Sequence, residues 1–161
     1  MEFRKSIRLK DYDYKTNGYY FVTIVTKNRL PLLKKYRYGS GAIAIAQAIS
    51  DLPKFIKGLA IDYFIVMDNH IHIIFVLEDC VKSLGQIVRA MKYNITKIVA
   101  VGLPSHEKSS HSNATATNGG GIWQWNYYEH IIRNKKALDK IRRYIANNPN
   151  AEKYNWDELE K

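Results

Sequence analysis

A second cysteine is missing from this 161-residue sequence: Cys80 stands alone. An internal disulfide is therefore excluded, as is any two-cysteine motif, and a lone thiol fits the reducing cytoplasm. No apolar run approaches the roughly 20 residues that a membrane span needs. The N-terminal MEFRKSIRLKDYDY carries charges throughout, where a secretion signal would place an apolar stretch. These gaps set the expectation of a cytoplasmic protein with no membrane partner. Acidic residues are scarce as well: Asp and Glu number 15 against 25 Lys and Arg, for a formal charge of +10. Tyrosine is abundant at 12 residues, and cations interleaved with aromatic rings are what a binder of phosphate backbones and unstacked bases requires. Charge alone is equally compatible with a merely basic soluble protein.

The length fits one domain, residues 1–161, with a basic arm over 1–16. YYFVTIVT, residues 19–26, has β character and predicts the first strand. Lys27 and Arg29 follow, placed to touch a phosphate, with ordinary surface charge as the alternative. Residues 39–57 show helical spacing that Pro53 should kink or shorten. Residues 61–76, IDYFIVMDNHIHIIFV, read as a β-hairpin turning at Asp68-Asn69. A strand, a helix and a hairpin make the first half of a split βαβ arrangement, hence an α+β fold.

Ser83-Leu84-Gly85-Gln86 is a capping-box pattern that opens a second amphipathic helix, ending before Gly102 and Pro104. Arg89, Lys92 and Lys97 lie largely off its apolar stripe and would face nucleic acid or solvent. Residues 103–121 form a polar, low-complexity loop, expected to be mobile, whose His106 and His111 carry little weight as extra ligands. Residues 122–132, IWQWNYYEHII, suggest the last strand, with at most one or two of Trp123, Trp125, Tyr127 and Tyr128 exposed as base-stacking platforms. Asn134 is the expected N-cap of a final helix. Pro149 should end that helix at about Asn148.

Three features carry chemistry. His70 and His72 project from one face of their strand, and two adjacent imidazoles can hold one metal ion. Lys140, Tyr144 and Asn148, each four apart, share a helical stripe, so a phenol and an amide are displayed together. Two imidazoles with an oxygen ligand, here Asn148, would bind a divalent ion, magnesium or manganese with zinc also open, as a Lewis acid for a phosphate oxygen. Tyr144 is then placed as the nucleophile that forms a phosphotyrosine link. Each feature has an ordinary alternative: strand histidines, a core-edge tyrosine and a helix-terminal asparagine.

Met67-Asp68-Asn69-His70-Ile71-His72, the run from Trp125 through Arg133, and Tyr144-Ile145-Ala146-Asn147-Asn148-Pro149 together resemble the single-tyrosine HUH transposases. The likeness covers residues 19–149 and is nearest to the REP-associated tyrosine transposases, relatives of small insertion-sequence transposases. It implies a ferredoxin-like antiparallel sheet with helices packed on one face, a divalent metal on His70, His72 and Asn148, and Tyr144 as nucleophile. The implied substrate is single-stranded or hairpin DNA, cleaved to a 5′-phosphotyrosine and a free 3′-OH. The cations expected to meet that DNA are Lys27, Arg29, Arg89, Lys92, Arg133, Lys140 and Arg143. Tyr127 and Tyr128 are rival nucleophiles. A catalytically silent nucleic-acid-binding module and a phosphodiesterase that uses water are the competing functions. Monomer and homodimer both stay open.

Overall fold

The computed structural model describes residues 8–101 and 121–148. The start of the basic arm, the polar loop apart from Gly121, its His106 and His111, and Pro149 lie outside the described residues.

Side chains alternate across a strand, and here both sets of the central strands are largely apolar. In β1 (Gly18–Val25), Tyr20, Val22 and Ile24 enter one core, whereas Phe21 enters a second core on the opposite face. In β3 (His70–Leu77), Ile71, Ile73 and Phe75 join the first core and Ile74 joins the second. β2 (Leu59–Val66) and β4 (Tyr128–Ile132) complete a four-stranded sheet of order β2-β3-β1-β4. Every neighbouring pair is antiparallel, the arrangement expected of a ferredoxin-like sheet.

The first face is covered by α1 (Gly39–Ser50) and α3 (Leu84–Val101), which bury Ile45, Ile49, Leu84, Ile87, Met91 and Ile95 among others. Pro53 lies in the first turn of a separate short helix, α2 (Leu52–Phe55), so it starts a new turn and does not bend α1. The capping box opens α3 as expected: Ser83 N donates to Gln86 Oε1 at 2.9 Å, and Gln86 N donates to Ser83 Oγ at 3.4 Å. Among the described residues no helix is long and apolar enough to cross a membrane.

The expectation that the helices share one face holds for α1 and α3 and is corrected for α4 (Lys135–Ala146). This helix packs on the opposite face, where Ala137, Leu138, Ile141 and Ile145 cover Phe21, Ile74 and Ile132. The reason is the second apolar set of β1 and β3, which would otherwise face water. Asn134 caps α4, its Oδ1 accepting from Ala137 N at 2.8 Å. A second tie reaches the edge strand. A bulge between Ile61 and Tyr63 sets Asp62 out of register, and its carboxylate takes a two-pronged grip from Arg142, Nε to Oδ2 at 2.8 Å and Nη2 to Oδ1 at 2.5 Å.

The last strand is also shorter than residues 122–132. β4 begins only at Tyr128, and Trp123 makes an isolated bridge to Thr26. Trp123 is drawn under α3, where its indole N–H donates to Lys92 O at 3.2 Å and to Thr96 Oγ1 at 3.1 Å.

Ile141 is fully buried and Ile43 is 70% exposed. Ile141→Ala should therefore lower unfolding free energy by about 2–5 kcal/mol, and Ile43→Ala should change it by less than about 0.5 kcal/mol. Urea unfolding of the full chain measures both; equal losses would mean that α4 is not held by its apolar stripe.

Candidate active site

The site begins at the turn between β2 and β3, closed by Met67 N donating to His70 O at 2.8 Å. Asp68 accepts from Arg37 Nη1 at 2.8 Å. Asn69 O accepts from both the backbone N and the hydroxyl of Thr26, each at 2.9 Å, latching the turn to the end of β1. Asn69 Nδ2 in turn donates to Arg29 O at 3.1 Å. Asn28 and Arg29 both have φ near +55°, at 55° and 56°, a left-handed conformation that non-glycine residues adopt at a cost. The hydrogen bonds from this turn hold Arg29 there, and its side chain lines a hollow of about 590 Å³.

His70 and His72 line the same hollow, with ring centroids 4.6 Å apart. The Nδ1 of each ring is engaged, His70 with Asn69 Oδ1 at 2.7 Å and His72 with Thr23 Oγ1 at 2.8 Å. An amide oxygen can only accept, so His70 Nδ1 carries the proton and Nε2 keeps its lone pair. Burial lowers the pKa of both rings. For His72, burial first and the neighbouring His70 second bring it to about 3; for His70, burial dominates. Both imidazoles are therefore neutral at physiological pH, the form that binds a metal.

The helix supplies the other groups. Tyr144 lies in the last turn of α4, two residues before Ala146, with its ring centroid 5.4 Å from that of His72 and 6.3 Å from that of Phe21. Asn148, just past the helix end, hydrogen-bonds the His70 ring through its side chain. The four residues singled out by spacing, His70, His72, Tyr144 and Asn148, thus converge. Among the described residues no three His, Cys, Asp or Glu side chains form a metal-holding group by themselves, so a metal here needs the amide oxygen as well as the imidazoles.

Residues 14–148 match the model of the family described as "Transposase IS200 like". The chain belongs to the IS200-like transposase family. An uncharacterized Haemophilus influenzae Rd protein is 31% identical over 172 residues, covering 91% of this chain and 88% of the relative. A second protein of that organism, named as a candidate REP-associated tyrosine transposase, is 26% identical over 85% of this chain and 73% of its own length. Among solved structures, a REP-associated tyrosine transposase bound to a REP hairpin superposes with a TM-score of 0.61 at 25% identity, over 88% of this chain and 72% of that one. A candidate transposase from Deinococcus radiodurans R1 shares the fold, with a TM-score of 0.53 at 20% identity over 87% and 95% of the two chains. Membership supports a transposase-type DNA endonuclease, and the likeness to the REP-associated branch expected from the motifs is found by both routes.

The rival tyrosines separate by strand parity. Tyr127 is buried on the far side, its ring under the Arg8 guanidinium at 3.5 Å, while Tyr128 lines the hollow. Of the seven cations expected to meet DNA, Arg29 lines the hollow and Lys27 is exposed beside it on the same turn. Lys140 and Arg143 lie on α4, and exposed Arg133 follows β4. Arg89 is exposed but sits on α3, in the layer across the sheet from the histidines.

Lys92 is a correction. It is 5% exposed, and its ammonium donates to Gln124 O at 2.8 Å and to Asn126 O at 3.1 Å, so it braces the loop that presents Trp125, itself 70% exposed. A cation flanking an apolar stripe can turn inward when carbonyls await it, which helical spacing cannot show. Thr23 was invisible for a similar reason: only strand register brings it opposite His72.

Burial lowers the Lys92 pKa from 10.5 to about 8, with Arg8 adding to the shift. Between those values the unfolded chain holds more protons than the folded one, so stability attributable to this group rises with pH. Relative to Lys92→Met, the wild-type chain should gain about 1 kcal/mol per pH unit from pH 8 to 10, measured by chemical unfolding; a constant gap would refute the burial of a charged ammonium. Were the two imidazoles to hold a divalent ion, Thr23→Val, which frees His72 Nδ1, would weaken manganese binding about 10- to 100-fold, measured by calorimetry, with no loss expected where the hydroxyl does not orient the ring.

Proposed function

We propose that this chain cleaves and rejoins single-stranded or hairpin DNA through a 5′-phosphotyrosine intermediate. The observation that carries this reading is the convergence of His70, His72 and Tyr144 on one hollow, with Asn148 hydrogen-bonded to His70, in a chain of the IS200-like family. Hairpin DNA is the favoured substrate class because a solved relative was captured on a REP hairpin.

In this reading the Tyr144 phenol loses its proton and its oxygen attacks the scissile phosphorus. The bond from phosphorus to the 3′ oxygen breaks, that oxygen takes up a proton, and the 5′ phosphate remains on the tyrosine. Attack by a 3′-OH reverses the step and rejoins the strand. The donor set fits a divalent cofactor, magnesium or manganese: two neutral imidazoles with Nδ1 already engaged, and the Asn148 carboxamide, which carries an oxygen, beside His70. Such an ion would supply Lewis acidity at a phosphate oxygen. Phe21 and His72, stacked on one another, both meet the Tyr144 ring in edge-to-face contact, which packs the tyrosine beside the histidine pair at the hollow. Arg29, aimed into the hollow by its turn, contributes positive charge where the phosphate would sit.

Labelled hairpin DNAs with single-stranded flanks, incubated with manganese and resolved on a denaturing gel, test the mechanism. The expected result is a protein–DNA adduct that maps to Tyr144 and is lost in Tyr144→Phe. His70→Ala should reduce cleavage at least about 100-fold while DNA binding, which rests on phosphate contacts and falls with salt, largely persists. Cleavage without an adduct would favour the water-using phosphodiesterase, and binding without cleavage the silent module.

A further inference from the structure

The lining of the hollow includes an exposed aromatic side chain that the proposed chemistry does not use. This is Tyr128, which is 53% exposed. Its place follows from register. His72 pairs with Thr23 across β3 and β1, and Thr23 pairs with Tyr128 across β1 and β4, so the three side chains form one row on one face. Strand spacing puts the two ends of that row about 10 Å apart, the reach of a nucleotide or two in an extended strand. On the same face of β4, His130 is half-buried and Ile132 is buried beneath α4. Covering therefore stops short of Tyr128, which is left as a phenol ring with one side toward water at the mouth of the hollow.

Structural packing does not require this residue: the second core is closed by Phe21, Ile74 and Ile132 against α4 without it. Tyr128 does not sit where the nucleophile must, since the histidine pair is adjacent to Tyr144 and a full Thr23 column separates it from Tyr128. An exposed aromatic face beside a phosphate site suits a nucleobase, whose stacking is tolerant of sequence and needs the base to be unpaired.

We propose that Tyr128 is the stacking platform for an unpaired base next to the cleaved phosphate. Stacking there swings the base away from its neighbours and fixes the position of the intervening sugar-phosphate over the histidines. The inference rests on the DNA substrate proposed above but not on the identity of the nucleophile.

The test uses full-length protein carrying Tyr144→Phe, which binds without forming an adduct, and hairpin DNAs with 2-aminopurine placed in turn at each flanking position. One position beside the cleaved linkage should be quenched on binding. Adding Tyr128→Ala should abolish that quench and weaken binding roughly 5- to 150-fold. Tyr128→Phe and Tyr128→Trp, which keep a ring, should retain both, showing that the loss in the alanine variant is not misfolding. Unchanged quenching in Tyr128→Ala would overturn the inference, as would a Phe variant that behaves like Ala. If the Tyr128 dependence holds while wild-type protein forms no Tyr144 adduct, the cleavage mechanism falls and the platform stands. Failure of the parent protein to bind any hairpin overturns both.

Discussion

The antiparallel pairing of β1 with β3 is the constraint on which everything else hangs. In that register Val25 lies opposite His70 and Thr23 opposite His72. Alternation then sends Ile24, Ile71 and Ile73 into the core under α1 and α3, while the histidines and Thr23 emerge on the α4 side. A slip of one residue would put both imidazoles into the larger core and turn its isoleucines toward the hollow. The register resists such a slip because both faces of both strands are committed, one to packing and the other to packing at one end and chemistry at the other. The fold and the site are therefore one choice.

Burial at the site acts in two directions. Keeping imidazoles out of water disfavours their charged forms, which preserves the lone pairs a metal would use, but every buried polar atom then needs a partner. His72 meets that need through Thr23 and His70 through Asn69. Thr26 is buried as well, and its hydroxyl donates to Leu30 O at 2.7 Å while also reaching Asn69 O. The same few side chains thus satisfy the buried polar groups and fix the turn that carries Asn69 and Arg29.

Local signals in the sequence were the legible ones. The hairpin turn, the Ser83–Gln86 box and the Asn134 cap each depend on residues within a few positions of one another, and each formed as read. The helical placing of Tyr144 was legible for the same reason, whereas Asn148 falls past Ala146, outside the α-helix, and meets the site through its hydrogen bond to His70. What was missed needed long-range pairing. Thr23 matters only because β1 lies beside β3; Lys92 turns inward only because the carbonyls of Gln124 and Asn126 wait beneath α3; and β4 starts late because Trp123 is claimed by the same helix. The face chosen by α4 was hidden for a related reason. Runs such as YYFVTIV and HIIFV are apolar at odd and even positions alike, a pattern that requires covers on both faces, and only the tertiary fold determines which helix covers which face.

The placement of Tyr144 shows how these layers combine. An apolar stripe of Ala137, Leu138, Ile141 and Ile145 holds α4 on the sheet, but a greasy interface of similar residues permits sliding and rolling with little loss of buried area. The Arg142 fork removes that freedom, because two parallel hydrogen bonds to Asp62 specify direction as well as distance. Arg142 lies on the helix flank two residues before Tyr144, so fixing its azimuth fixes that of the phenol. The anchor is available because β2 carries a bulge at Asp62, an irregularity that costs a ladder position in an edge strand and turns a carboxylate toward the helix. Hydrophobic burial thus decides that α4 docks on this face, and a single charged contact at the sheet edge decides how its tyrosine is aimed.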